Sequence, residues 1–349
     1  MTEMFDPDAD GDLELPPLDR ADEPDVTDVE VVATPPREEE ISDESEPTAG
    51  RWVPVPTPPD PDGTIWHYTD SGGAIGILSS QVLWATSMGS LNDAMEFEYG
   101  LTPLRELLKE VQDSRHIHPL QKRFIAEVHA RGEEVRSLSP LFVVCASEDG
   151  DSLSQWRAYG GSVGHAIGLD PGAMAAVLDV SHATRPHAGD SVIPRWGRVL
   201  YRAEDQRNFL LQTLSFVALQ CPLPERYAAE GEAAIRRAVP WLLAALAYCK
   251  HPSFADEKEV RLVLQGPDEL CISFRPTRFG VTPYISVTFT DTARGFLPRS
   301  LQQTEQFPVA AVAIGPTAHG STAAEGTRLL LRRVGLEGVP VTETQAPFR

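Results

Sequence analysis

Four short segments of the 349-residue chain hold the side chains best suited to chemistry. The first is Trp66-His67-Tyr68-Thr69, at the end of an apolar stretch and followed at once by Ser71-Gly72-Gly73. Alternation along a strand puts His67 and Thr69 on one face and Trp66 and Tyr68 on the other, so an imidazole and a hydroxyl stand side by side, a pair able to hydrogen-bond a ribose or a carboxamide. The second is Leu91-Asn92-Asp93-Ala94-Met95-Glu96-Phe97, where Asn92 or Asp93 is placed to cap a helix. The third, Asp151 to Gly161, gathers the Gln155 amide, the Trp156 indole, the Arg157 guanidinium and the Tyr159 phenol. Such a set suits a planar ring plus a phosphate, the ring stacking on Trp156 or Tyr159 and Arg157 gripping the anion. The fourth is Phe254 to Leu264, where strand alternation lines up Glu257, Glu259 and Arg261 opposite Val260, Leu262 and Leu264. Two carboxylates beside a cation can divide an acid/base or electrostatic task.

Each segment also has a plain structural use. His67 reads equally as a core histidine, Asn92 or Asp93 as a cap alone, the Trp156 run as an aromatic corner, and the charged row as an edge strand blunted against pairing. The elements that must position these groups follow from periodicity. Strands are expected at Thr64 to Thr69, Val82 to Thr86, Leu141 to Ala146, His165 to Leu169, Glu257 to Leu264, Tyr284 to Phe289, Val309 to Ile314 and Pro340 to Thr344. Helices are expected at Gly73 to Ser80, Ala94 to Val111, Leu120 to Ala130, Asp205 to Gln220, Glu225 to Cys249 and Thr322 to Val334. Helices and strands mix without a regular βα repeat, which argues for an α+β fold, with no Walker loop and no G-x-G-x-x-G after a strand.

Composition bounds the rest. Residues 1 to 50 hold 18 of the 51 acidic residues against only Arg20 and Arg37, so they carry −16 of the net −21. Dense charge and repeated proline predict a disordered arm and linker over 1–62, with Pro54 to Pro61 polyproline-like, ahead of a single domain over 63–349 that carries a helical insertion around 205–250. The mildly acidic remainder disfavours a tightly held nucleic acid. The arm reads as a solubilising tail or as an element that contacts a basic partner. Asp6, Asp8, Asp10 and Asp12 imitate a calcium loop, but Pro17 stands where the bidentate glutamate belongs. Cys145, Cys221, Cys249 and Cys271 are too far apart for a zinc knuckle and read as reduced thiols, and His116, His118 and His129 lack partners to complete a metal site. No metal, no membrane span and a cytoplasmic location are therefore expected.

In this order the segments resemble the bacterial family known as domain of unknown function 2971, from about Trp66 to Arg349. The motifs that carry the resemblance are W-H-Y-T followed by I-G-I-L, L-W-A-T, L-N-D-x-x-E-F, S-Q-W-R-A-Y-G, K-H-P-S-F-A-D-E-K-E-V-R-L-V, I-G-P and the closing P-F-R. A looser pattern, a strand with H-x-T, an apolar helix and a late strand with E-x-E, is similar to the ADP-ribosyltransferase superfold, in which split mixed or antiparallel sheets with flanking helices grip NAD. A clear S-T-S strand and the usual tyrosine pair are missing, with Ser154 or Asn92 as stand-ins.

That second resemblance implies the roles. His67 and Thr69 would anchor the adenosine ribose or the nicotinamide amide, with Asn92 and Gln155 as further polar contacts. Trp156 or Tyr159 would stack on the nicotinamide, and Arg157 or Arg261 would meet the pyrophosphate. Glu259 would be the catalytic carboxylate, and Glu257 would orient the nucleophile. The implied activity is ADP-ribosyl transfer from NAD to an unknown macromolecular acceptor, or NAD glycohydrolysis, in a toxin or phage-defence setting. Two other readings stay open: a glycoside or nucleotide hydrolase using Glu257 and Glu259, and a non-catalytic nucleotide sensor or adaptor.

Overall fold

Alternating apolar and polar positions over Ile65–Asp70 place Ile65, His67 and Thr69 on one side of the first strand, β1, and Trp66, Tyr68 and Asp70 on the other. In the computed structural model both sides of β1 feed the core, through Ile65 on one and Tyr68 on the other. The structure describes residues 55–90, 95–113, 141–178, 184–185, 195–220, 241–265, 269–277, 280–290 and 307–347. The acidic arm before residue 55, Asn92, the expected helix over 120–130, Cys221 and the His116, His118 and His129 set lie outside those residues.

In chain order the helices are α1 (Ser71–Ser80), α2 (Met95–Asp113), α3 (Leu153–Tyr159), α4 (Ala203–Gln220) and α5 (Gly320–Arg333), with residues 241–246 also helical. The remaining strands are β2 (Leu83–Ser87), β3 (Leu141–Ser147), β4 (Gly164–Leu169), β5 (Met174–Leu178), β6 (Thr184–Arg185), β7 (Trp196–Arg198), β8 (Glu259–Gln265), β9 (Ile272–Thr277), β10 (Gly280–Thr290), β11 (Val309–Ile314) and β12 (Val341–Glu343). Among the described residues every strand pair is antiparallel except β11 with β12, and the main path runs β12-β11-β4-β1-β3-β2-β10-β5-β6. The fold is α+β with a mostly antiparallel sheet, and no described helix is long and apolar enough to cross a membrane.

β3 is the hinge of this sheet. One edge pairs with β8 along its whole length, from Leu141 opposite Gln265 to Ser147 opposite Glu259. The other edge is shared: β1 meets it only at Ser147, opposite Trp66, while β2 meets it at Phe142 and Val143. Among the described residues the strand pairing of this edge is at those two bridges, so β1 and β2 diverge and leave a gap.

Two cores flank the sheet. Ile65, Val144, Ala146, Leu262, Ile285 and Val287 face α1 and α5, which contribute Ala74, Leu78, Ala324 and Leu331. Leu141 and Val143 face the other side, against Leu104 and Leu107 of α2, Leu210 and Leu214 of α4, and the buried run Leu242 to Cys249. The chain joins the folded body earlier than its proline content suggests. Pro56 and Pro59 are buried, Val55 packs against the helical core, and the Thr57 carbonyl accepts from the Arg198 N–H at 3.1 Å. The linker expected through residue 62 is thus docked from Val55 on, because its prolines cover apolar surface beside β7.

α3 begins a tight corner. Trp156 is buried against Tyr68, ring centroids 4.6 Å apart and edge-on, together with Ala166 and Ala313, and its indole N–H donates to Asp151 Oδ1 at 2.9 Å. Asp151 also accepts from the Gln345 N–H, tying the C-terminal segment to this corner. Gly164 and Gly315 press on the same ring: a Cβ at Gly315 would stand 2.7 Å from Trp156 Cε3, and one at Gly164 2.9 Å. Replacing Gly315 by Ala is therefore expected to destabilise the fold by about 1–3 kcal/mol through overpacking. A urea unfolding midpoint that does not move would show that the indole shifts without cost.

Candidate functional site

A cavity of about 1320 Å³ occupies the gap between β1 and β2 and extends along β3 toward β8. Its volume exceeds the roughly 300–1,000 Å³ usual for small-molecule sites. His67 and Thr69 enter it from β1, Trp84 and Thr86 from β2, Tyr159 and Gln155 from α3, and Lys250, Glu257, Glu259 and Arg261 from the far end.

His67 is set by the gap. The Cys145 carbonyl lies on the β3 edge between the two bridges, and His67 Nδ1 lies 2.9 Å from it. A carbonyl can only accept, so Nδ1 carries the proton and Nε2 is left as an acceptor. Burial holds the imidazole below its ordinary pKa, against the effect of the Cys145 bond, and the Arg275 charge lowers it further. The ring is neutral at pH 7. Thr69 is fixed by α1: Gly73 leaves the space its hydroxyl occupies, and the Gly73 N–H donates 2.7 Å to Asp70 Oδ1, which caps the helix. Gly72, Gly73 and Gly76 of α1 line the cleft together with Ile77 and Ser80.

The far end is an ion network. Arg261 donates from Nε to Glu259 Oε1 at 2.7 Å and from a terminal nitrogen to Glu259 Oε2 at 2.9 Å, while its other terminal nitrogen reaches the Ala247 carbonyl at 2.7 Å. Lys250 Nζ bridges Glu259 Oε2 at 2.9 Å and Glu257 Oε2 at 2.6 Å. Arg261, Glu259 and Lys250 are all buried, whereas the Glu257 side chain keeps 22% of its surface. Burial would raise the pKa of Glu259, but the Arg261 and Lys250 charges win and carry it down to about 2. The Tyr201 hydroxyl accepts from the Glu259 N–H at 3.0 Å, and burial first, then the carboxylates, push that phenol up to about 12. Burial and the same carboxylates raise Tyr159.

Glu257 does not share a strand with Glu259. It closes a 3₁₀ turn, Pro252–Glu257, capped by His251, and Lys258 then takes a left-handed conformation (φ 44°) before β8 begins at Glu259. That reversal, rather than a two-residue strand repeat, brings both carboxylates to Lys250. Registers also separate His67 from Glu259: Trp66 opposes Ser147 and Ser147 opposes Glu259, so Glu259 projects from the Trp66 face and His67 from the opposite one. Both reach the cavity because the sheet is open between β1 and β2.

Other expected ligand contacts are redistributed. Tyr159 and Gln155 line the cavity. Trp156, expected to stack on a ring, is buried in the corner beneath Tyr68, and Arg157 is exposed and outside the cavity lining. The reason is helical: α3 turns Gln155 and Tyr159, four residues apart, to one side and Trp156 to the other. Arg261, expected to meet a pyrophosphate, has its fork committed to Glu259 and Ala247. Residues not singled out from the sequence include Lys250, the first residue of the K-H-P-S-F motif, and Trp84 and Thr86 of L-W-A-T. A lysine closing the apolar run 241–249 was the available signal for the first.

A sequence-family profile described as a protein of unknown function (DUF2971) matches residues 155–262, under a third of the chain, and supports the resemblance to that family. No curated protein and no solved structure matches. The matched span runs from Gln155 to Leu262 and so includes Tyr159, Lys250, Glu257, Glu259 and Arg261.

Because Glu259 neutralises a buried guanidinium and ammonium, Glu259→Gln is expected to cost about 3–5 kcal/mol, the penalty of leaving buried charge uncompensated. Its depressed pKa makes the carboxylate's contribution complete above about 4.5 and lost as pH falls toward about 2. Urea unfolding between pH 7 and pH 2 checks both: the unaltered chain should lose stability across that window, and the variant should show a smaller loss. Parallel pH profiles would exclude the network as the source.

Proposed function

We propose that the cleft binds NAD and breaks its nicotinamide–ribose bond, passing ADP-ribose to water or to a macromolecular acceptor. The observation that carries this reading is the meeting, in one cavity, of a neutral His67, the Thr69 hydroxyl and the Glu257–Lys250–Glu259–Arg261 network, across a gap between two diverging halves of a sheet.

In this reading His67 Nε2 accepts from a ribose hydroxyl or the carboxamide, and Thr69 supplies a second polar contact. As the bond between nicotinamide nitrogen and ribose C1′ breaks, the electron pair leaves with nicotinamide and positive charge develops at the sugar, where a carboxylate stabilises it. Glu257 is the carboxylate assigned to that role and to accepting the proton of the attacking water or hydroxyl. Glu259 is assigned a positioning role, since both its oxygens already accept from Arg261 and Lys250 and its low pKa suits a fixed counterion. With water as acceptor the products are nicotinamide, ADP-ribose and one proton.

The saturation of Glu259 also favours a second reading, a nucleotide-binding sensor with no turnover. Nicotinamide release from NAD separates the two. The full chain should release nicotinamide, and Glu257→Gln should reduce kcat by about 10²-fold or more with little change in KM. Binding of NAD without release, in the unaltered chain supplied with cell extract as acceptor, would select the sensor reading.

Gly76→Leu tests the location. Nothing lies within 4 Å of a Cβ at Gly76, and an exposed helical Gly→Leu change should leave stability unchanged or raise it by about 0.5–1 kcal/mol. Its side chain enters the cavity, so NAD binding should fall at least about tenfold by calorimetry. Undiminished binding would put the ligand elsewhere.

A further inference from the structure

The wall of the cleft built by β2, β10 and β9 is not used by the network or by His67, yet it is polar at nearly every position that faces the cavity. Registers of Tyr284 with Thr86, Ser286 with Trp84, Thr282 with Arg275 and Tyr284 with Ser273 put all of these side chains on one face, while Leu83, Ala85, Ile285 and Val287 occupy the opposite, apolar one. Arg275 sits at the centre of that wall. Its guanidinium carbon lies 5.2 Å from the Trp84 ring and 5.8 Å from the Tyr284 ring, and one terminal nitrogen donates to Thr86 Oγ1 at 2.8 Å. Its Nε is buried with no hydrogen-bond partner, and among the described residues no carboxylate pairs with it.

A half-buried guanidinium held by aromatic faces and a threonine, but without an anion, is costly unless a ligand supplies one. Burial lowers its pKa, opposed by Tyr284, yet an arginine stays charged. Arg275 also depresses His67, so its field reaches the same cavity. The register of Thr86 with Val143 continues this face into β3, and those of Cys145 with Arg261 and Ser147 with Glu259 continue it into β8.

We infer that Arg275 is the phosphate anchor of the cleft, binding the diphosphate of a nucleotide with help from the surrounding hydroxyls, while the exposed Trp84 ring offers a surface for the base. A planar fork with hydroxyl donors around it can engage several oxygens of a tetrahedral anion at once, whereas a carboxylate offers only two. Base stacking on an exposed aromatic is sequence-tolerant and adds affinity without needing a specific edge. The inference rests on the proposed NAD reading for the identity of the remainder of the ligand, but the anion site stands on its own residues.

Calorimetry of the full chain with ADP, pyrophosphate, adenosine and succinate tests it. ADP and pyrophosphate should bind and succinate should not compete with them. Arg275→Gln should weaken ADP at least about tenfold while leaving adenosine within about twofold, and Arg275→Lys should fall between. Thr86→Val, which removes only the hydroxyl that orients the fork, should weaken ADP several-fold and keep the unaltered circular dichroism spectrum, covering the case in which Arg275→Gln fails to fold. The inference is overturned if the unaltered chain binds neither ADP nor pyrophosphate, if Arg275→Gln or Thr86→Val binds ADP as the unaltered chain does, or if succinate displaces ADP. ADP binding lost in Arg275→Gln, in a protein that never releases nicotinamide, keeps the anchor and sinks the NAD chemistry alone.

Discussion

Backbone groups that leave a sheet must be satisfied by something else, and β3 makes that requirement acute. Its second edge is met by β1 at one end and β2 at the other, and the carbonyl of Cys145 lies between them. His67 meets that need with its own N–H, and in doing so becomes a fixed, neutral acceptor. One backbone carbonyl thereby links the topology of the sheet to the protonation of a side chain that lines the cleft. A sheet closed between β1 and β2 would have neither the cavity nor any reason to hold His67 in this state.

A second constraint is electrostatic neutrality. Glu257 and Glu259 against Lys250 and Arg261 make two negative and two positive charges in a largely buried cluster, and each is fixed by geometry that the chain builds locally. Gln206 holds the Lys250 carbonyl at 2.9 Å, the Ser147 hydroxyl holds that of Glu257 at 2.7 Å, and the left-handed Lys258 reverses the chain between the two carboxylates. Balanced charge lets the cluster stay buried but weakens its field at a distance. Glu257 is thus the more open carboxylate of the cluster, and Glu259 the one that holds both cations.

Period-2 and period-3.6 patterns were enough to read β1, α1, β3, β4, α4, β8 and β11 within a few residues, because each carries a long apolar face against one of the two cores. What escaped was short or polar on one side. β7 has three residues and β6 two, and β9 alternates Ser273, Arg275 and Thr277 with Phe274 and Pro276, a pattern that reads as loop until β10 pairs with it. Likewise the sequence ranked Trp156 and Arg157 as ligand contacts because aromatics and arginines favour such roles. The seven-residue α3 instead turned the indole inward onto Gly164 and Gly315, leaving Tyr159 in the cleft. Tertiary pairing of β8 with β3 and of Arg261 with Glu259 likewise could not be read from spacing alone, since a two-residue offset fits an exposed charged edge as well as a buried ion pair.

Arg157 and Arg261 were the cations expected to meet an anion, but one lies on the surface and the other spends its donors on Glu259 and a backbone carbonyl. The cleft consequently divides by charge. Its β8 end holds cations already matched by carboxylates, and its β9 end holds a cation matched only by aromatic rings and hydroxyls. A ligand with an anionic middle and a neutral or cationic terminus would lie with the anion toward β9 and the terminus toward Glu257. That orientation follows from the charges alone.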